Sequence, residues 1–493
     1  MQISSYAQSL NMRSSMTQIQ TQLADLQRQL STGLKSDSFS KLGDARNLVL
    51  ALNNQVTQSK SYLDTIDLTA LRVKSSSDAL TRVNNISSEM KNGGLTSTFN
   101  LTSGGQTNLQ ITAGSRLDEI VDLLNLNVGD RQLFGGKATQ TEPVVSSGLM
   151  LNGDTTHAGL KTVIAQRNAA DIGDGSGRIA LSSPVAGTVS IAEDAANSPF
   201  GFKLADVHSS LTGATVTGPT GTPPAVDVAF GATLPNDGDT ISLDFTLPDG
   251  TSTTVTLTAT TTSPAGAGQF TIGADATATA TNFQAAVGTS LQSEAKTTLK
   301  AASTAQAGND FFSNTPQRVD GPPYDTAVAL KDGTADDTVF WYRGDTSTPA
   351  GNNFLATIGD GSQMAYGARA DQSAIATVVK NTALLAAVSY TGADASEAAE
   401  YSEMTKRVAT DLDFAGTQSV VNLVTDLGLK ASTLDSAKTN LQTQISTSQT
   451  VLADTQNADP YDVASQLTTL VTQLQASYQV TSTLSKLSLA NFL

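Results

Sequence analysis

A chain of 493 residues exceeds what one hydrophobic core usually organises, and with 15% charged and 5% aromatic residues its solvated surface falls largely to neutral polar groups. A formal charge of -16 without any Lys/Arg cluster excludes nucleic-acid binding through the phosphate backbone. The absence of cysteine excludes disulfides, thiolate metal sites and cysteine nucleophiles together.

The opening "MQISSYAQSLNMRSSM" has no basic stretch followed by an apolar run, and no window approaches 18 consecutive apolar residues. Neither a secretory signal peptide nor membrane insertion is expected. Met12, Met16, Ile19, Leu23, Leu26 and Leu30 alternate steps of four and three, predicting a helix from about Ser4 to Ser31 with a heptad seam. A Gly- and Ser-containing break, "STGLKSDSFSKLGDA", follows. Ala45, Val49, Leu52, Val56, Ser59, Leu63, Ile66, Ala70, Val73, Ser77 and Leu80 keep the same frame, predicting a second helix that runs to about Met90 and stops at "KNGG". Leu117, Ile120, Val121 and Leu124 place a third helix within 107–128.

The middle reads differently. "TISLDFTLPDGTSTTVTLTAT" alternates apolar and polar residues on both sides of a Pro-Asp-Gly turn, which predicts a β-hairpin. Phe283, Val287, Leu291, Ala295 and Leu299 predict a helix over 281–300, and "DTVFWYRGD" reads as a strand. The heptad frame returns with Val420, Val424, Leu427, Ala431, Leu434, Leu441, Ile445 and Leu452, and breaks at Pro460, a residue tolerated in a first helical turn. Ala464, Leu467, Val471, Leu474 and Tyr478 then form a last stripe, which Leu484, Leu487, Leu489, Phe492 and Leu493 carry to the end of the chain. The expected fold is α+β and multidomain: N- and C-terminal heptad helices pair into a coiled-coil rod, with a large β-rich insert between them.

No motif points to catalysis. "LFGGKAT" lacks the first Gly and the closing Ser or Thr of a phosphate loop, those places holding Arg131 and Ala138. His157 and His208 are the only histidines and neither has a nucleophile elbow nearby, while Asp332, Asp336 and Asp337 lack the twelve-residue calcium loop. No enzyme activity, cofactor or metal is expected.

The quoted segments resemble the bacterial flagellin superfamily. "LQRQLSTGLKSDSFSKLGDARNLVLALNNQV" is similar to the family's helix, break and second helix, and "LGLKASTLDSAKTNLQTQI" through "SKLSLANFL" is similar to its C-terminal helices. The resemblance covers about 1–143 and 390–493. Two kinds of protein compete within it. "KLGDARNLV", "RQLFGGKATQTEPV" and "LSLANFL" look more like hook-filament junction proteins (hook-associated protein 3) than like the filament subunit, flagellin, which is the alternative. The hairpin-then-helix unit of the insert, however, looks like a module of some flagellins. A third reading is a secreted adhesin with a helical stalk, using Phe340, Trp341 and Tyr342 against a glycan.

The resemblance implies three domains: a terminal inner-tube domain of 1–42 and 457–493, a helical rod of 43–143 and 390–456, and an outer insert of 144–389. The sequence of the insert itself is read as two subdomains, near 144–235 and 236–389. It implies a secreted location in the flagellum, export through the flagellum's own type III channel, self-assembly into a ring or tube, contact with flagellin and another hook-associated protein, and a chaperone on the C-terminal helix. The assembly interface is expected on Met16, Ile19, Leu23, Leu26 and Leu30 against Leu467, Val471, Leu474, Leu484, Leu487, Leu489, Phe492 and Leu493.

Overall fold

The computed structural model of the chain describes residues 2–347, 349 and 354–490, without the side chains of residues 2–5, Phe39 and 484–490. Two compact units are present: one of Met1–Ala70, Ala356–Met364 and Ser432–Leu493, the other of Leu71–Leu355 and Ala365–Ala431.

In the first unit the seams find each other. Helix α1 (Gln2–Thr32) lies antiparallel beside α11 (Pro460–Ala490), with Leu26 buried against Ala458 and Val463 and with Leu467 and Leu470 packed on that cluster. Gly33 ends α1 at φ +71°, a left-handed conformation that only glycine adopts without cost. The long helices α2 (Ala45–Thr96) and α10 (Val420–Gln456) contribute their other seam to this unit, where Val49 and Val56 pack on Ile445 and Leu452.

In the second unit α2 runs on to Thr96, past the expected stop near Met90. Its two glycines do not end it, because they serve close packing: a Cβ on Gly94 would stand 2.9 Å from the Thr405 carbonyl oxygen and one on Gly93 2.5 Å from Leu109 Cδ1. Helix α3 (Asn108–Leu124) opens with a capping box between Thr107 and Gln110. Its stripe of Leu117, Ile120 and Leu124 is fully buried, as are Leu80, Val83, Ile86 and Met90 of α2.

The insert opens with α4 (Ser147–Asn152) and α5 (Leu160–Ile172), neither signalled by periodicity. Strands β1 (Ile179–Leu181), β2 (Thr188–Glu193), β3 (Lys203–Ser209), β4 (Ala214–Thr220), β5 (Ala225–Phe230), β6 (Thr240–Thr246), β7 (Ser252–Thr260) and β8 (Gln269–Thr271) form two sheets, ordered β1-β2-β5-β4 and β3-β6-β7-β8. The expected hairpin is β6–β7, in register from Thr240↔Thr258 to Thr246↔Ser252. Because β3 pairs with β6, residues on either side of 235 share one sheet and one core. Helix α6 (Ala276–Glu294) presents Phe283, Val287 and Leu291 to that core, and passes through a π-helical turn (Ala295–Leu299) into α7 (Lys300–Phe312). Two short hairpins, β9 (Gln317–Val319) with β10 (Leu330–Asp332) and β11 (Phe354–Gly359) with β12 (Ser362–Tyr366), precede α8 (Ser373–Ala387) and α9 (Glu397–Asp411).

Two expectations are corrected. The insert is mixed rather than β-rich, with five α-helices among its described residues. "DTVFWYRGD" forms no strand: only Thr338 and Tyr342 make isolated bridges, because the segment serves to bury Trp341 against Phe312 at a ring distance of 5.4 Å. At 4% exposure Trp341 offers no platform to a sugar.

Candidate assembly interface

The two chain breaks of the first unit lie side by side. Lys35 N–H donates to the Gln456 carbonyl at 2.8 Å, Ala458 N–H to the Gly33 carbonyl at 2.9 Å, and Leu34 pairs with Asn457. Lys35 Nζ reaches the Asp454 carbonyl at 2.9 Å, placing a cation on the exposed carbonyl end of α10. The "STGL" and "NADP" breaks are therefore one structural feature, and the α1/α11 pair starts from it.

Along that pair the predicted residues divide by depth. Leu26 is buried at 8% exposure; Met16, Ile19, Leu23, Leu467, Val471 and Leu474 are half-buried; Leu30 is exposed at 49%. Leu484, Leu487 and Leu489 have side chains outside the described residues, and Phe492 and Leu493 lie outside them altogether. The contacts nearer the chain ends are polar: Gln20 Nε2 donates to the Tyr478 hydroxyl at 3.2 Å and Thr481 Oγ1 to Met12 Sδ at 3.3 Å. Val463 and Leu470 were missed as interface residues although they continue the same spacing (463, 467, 470, 474); Ala464, placed on the stripe instead, is exposed.

The outer faces of the pair are nearly uncharged. α1 contains only Arg13, Asp25 and Arg28, and α11 only Asp462 and Lys486. Arg28 donates to Asp25 at 2.8 Å and holds its carboxyl below the usual range. Threonines take the place of charges, and their hydroxyls turn back onto their own helix: Thr468, Thr469 and Thr472 donate to the carbonyls of Ala464, Ser465 and Thr468 at 2.9 to 3.0 Å. A hydroxyl satisfied in this way leaves its methyl group outward, and covering that face strands no donor. A shallow groove of about 570 Å³ runs along it between Ser465 and Ala476. Large apolar side chains stand exposed on the same unit, among them Tyr461 at 88%, Tyr6 at 69% and Leu10 at 47%.

Charge is partitioned accordingly. The first unit holds 8 basic and 10 acidic residues and the second 21 and 35, so the two carry -2 and -14 of the net -16. Among the described residues no group of three or more His, Asp or Glu is placed to hold a metal ion, and no helix is long and apolar enough to cross a membrane.

Residues 413–493 match the family model of the bacterial flagellin C-terminal helical region. The matched segment spans the end of the second unit, α10 and α11, the helices that build the features above. No curated protein matches the chain. The match covers the last 81 of the 493 residues, and over them the chain is similar to that helical region.

Proposed function

We propose that the chain is a non-enzymatic subunit of the flagellar axial structure, of the hook-filament junction type. Residues 1–42 and 457–493 form its inner-tube domain as a coiled coil, 43–143 and 390–456 the surrounding rod, and 144–389 an outward-facing insert. The observation that carries self-assembly is the α1/α11 pair: a seam only half-buried within one chain, backed by outer faces that are sparsely charged, rich in hydroxyls satisfied on their own helix, and partly apolar. Neighbouring copies complete that core, and ordering of the ends accompanies binding.

The junction assignment draws on "RQLFGGKATQTEPV". Phe134 is buried, its carbonyl accepts the Ala370 N–H at 3.0 Å, and Gly135 accepts the Asp345 N–H at 3.0 Å, so the strand of chain leaving the helices is tied to the one returning. A Cβ on Gly135 would meet the Ala138 carbonyl at 2.5 Å, which is why the segment needs glycine there. The alternative, the filament subunit, is favoured by the β6–β7 hairpin leading into α6. In the junction reading the partners are further copies, flagellin on one side and another hook-associated protein on the other, with type III export and a chaperone on α11.

Sedimentation and negative-stain microscopy of the full chain, with and without flagellin seeds, test this. Short oligomers that cap seeds support the junction protein. Long filaments grown on seeds transfer the assignment to flagellin, and a strict monomer under all conditions removes both.

A further inference from the structure

In the sheet module, residues 179–294, the sheet β3-β6-β7-β8 is left unfinished along one edge. The odd-numbered residues of β7 turn their backbone groups toward β6: the Ala259 N–H donates to the Asp239 carbonyl at 2.8 Å, and the Thr251 carbonyl accepts the Leu247 N–H at 2.7 Å. The even-numbered residues turn the other way, where the Thr258 N–H donates to the Gly268 carbonyl at 2.9 Å and β8 begins. β8 covers only Thr258 to Thr260. Ser252, Thr254 and Thr256 are exposed, and among the described residues no strand pairs with their outward N–H and C=O groups.

The other strands at the edges of the module are blunted. β3 carries a bulge between Leu204 and Asp206 and the charges of Lys203 and Asp206. β4 carries Pro219 and a break in register between Thr217 and Thr220, while β1 and β8 are three residues long. Bulges, charges, proline and shortness are the devices by which a sheet discourages a further strand. The stretch Ser252–Leu257, "STTVTL", has none of them: it is uncharged, rich in β-branched residues and held in unbroken register on β6. A chain running past its Ser252 end finds room, because Ser252 and Thr253 line a cleft of about 680 Å³.

Alternating N–H and C=O groups along a strand are complemented by another extended backbone, and charge selects which one. Between 179 and 294 ten acidic residues face one lysine and no arginine, so the same edge of a second copy brings like charge, whereas a basic segment is attracted. We propose that the open edge of β7, Ser252 to Thr256, is a docking site for an extended, basic segment of another protein, which adds to the sheet as a strand beside β7.

The probe is a synthetic peptide, acetyl-Lys-Thr-Val-Thr-Val-Lys-amide, offered to the full-length chain at about 0.15 M salt, where exposed charges are screened beyond about 8 Å. Hydrogen exchange read by mass spectrometry should slow in the segment 252–257. The same peptide with every internal N–H methylated keeps its charges and loses its donors. Its affinity, read by fluorescence anisotropy, should fall about tenfold or more, the equivalent of one or two backbone hydrogen bonds. Thr254→Pro removes an outward donor and leaves the ladder to β6 whole, so it should weaken the unmodified peptide to a similar degree. Should that variant fail to fold, the methylated peptide decides alone. Equal binding of the two peptides, or no slowing of exchange in 252–257, overturns the site. Equal binding of a peptide with glutamate in place of lysine overturns the basic partner, and so does slowing in 252–257 that appears without peptide as the chain is concentrated, which assigns the edge to a second copy.

Discussion

The terminal helices and the sheet module of this chain solve burial in opposite ways. The module closes its core within the chain: Phe202, Phe245, Phe270 and Phe283 are fully buried, and ten acidic residues between 179 and 294 face a single lysine there. The α1/α11 pair leaves its seam half-buried and carries five charged residues in two helices of 31. A region that is finished by itself can afford repulsion from its neighbours. A region that is finished by neighbours cannot carry net charge into the contact, because desolvating it costs more than the apolar surface returns. The difference supports the proposal that the α1/α11 pair is the part of the chain that meets other copies.

The sharpest way to break the comparison is to attack the helices that carry the sheet module within the same compact unit. Arg167 of α5 is buried and bridges two carboxylates, donating to Asp171 and Asp310 at 2.8 Å each, while Ser303 and the Gly201 N–H also bond Asp171. Arg167→Met leaves two buried carboxylates without their cation, held only by neutral donors, and should cost about 3–5 kcal/mol. Calorimetry should show a large fall in the melting temperature of the insert. If assembly of the surviving folded fraction is nevertheless normal, the separation of the two regions stands; if assembly is lost in proportion, the regions are not independent.

The converse variant attacks the unfinished region. Leu26→Asp removes an apolar contact with Ala458 and Val463 that is worth about 1.5–3 kcal/mol when fully buried, and places a charge on the seam. Leu474→Asp acts on the half-buried part of the same stripe. Both should abolish sedimentable assembly while the melting transition of the insert stays where it is. Normal assembly of either variant would remove the seam from the interface.

How much of this was legible differs along the same line. The heptad frames of α1, α2, α10 and α11 could be read because a repeated apolar step survives in residues such as Val49, Val56, Ile445 and Leu452, and the Pro460 break fell where a first helical turn allows it. The hairpin and the face of α6 were equally plain, since Phe283, Val287 and Leu291 keep helical spacing. Helices α5 and α8 were not. Both are buried on several sides, α8 burying Asn381 and Thr382 along with Ile375, Val378 and Leu384 and α5 using Arg167 and Asp171 as interior residues, so neither shows a one-faced period. The Trp341 segment misled for a related reason: a run of aromatics has the composition of a strand, and only the pocket beside Phe312 shows that it is a buried loop. The pairing of the two breaks, Gly33 with Ala458, had no local signal, because it joins residues at opposite ends of the chain.

The smallest effect sharpens the comparison through pH. Glu400 of α9 is 3% exposed and accepts from Lys300 Nζ at 2.8 Å, yet burial outweighs that partner and raises its carboxyl above the usual value near 4.5. Asp310 is raised likewise, by burial first, and by Asp171 beside it. For a carboxyl raised on folding, the ionised form opposes the fold, so the cost is present above the folded-state value and is relieved as pH falls toward the unfolded one. Glu400→Gln resembles the protonated form at every pH. The stability of the unaltered chain relative to Glu400→Gln should therefore rise as pH is lowered from 7 to about 4.5 and level off below it. Differential calorimetry across that range checks the sign. A difference that falls instead would mean that the Lys300 pair, and not burial, governs Glu400, and that the second unit carries this acid as an attractive partner in its interior and not as a charge it tolerates.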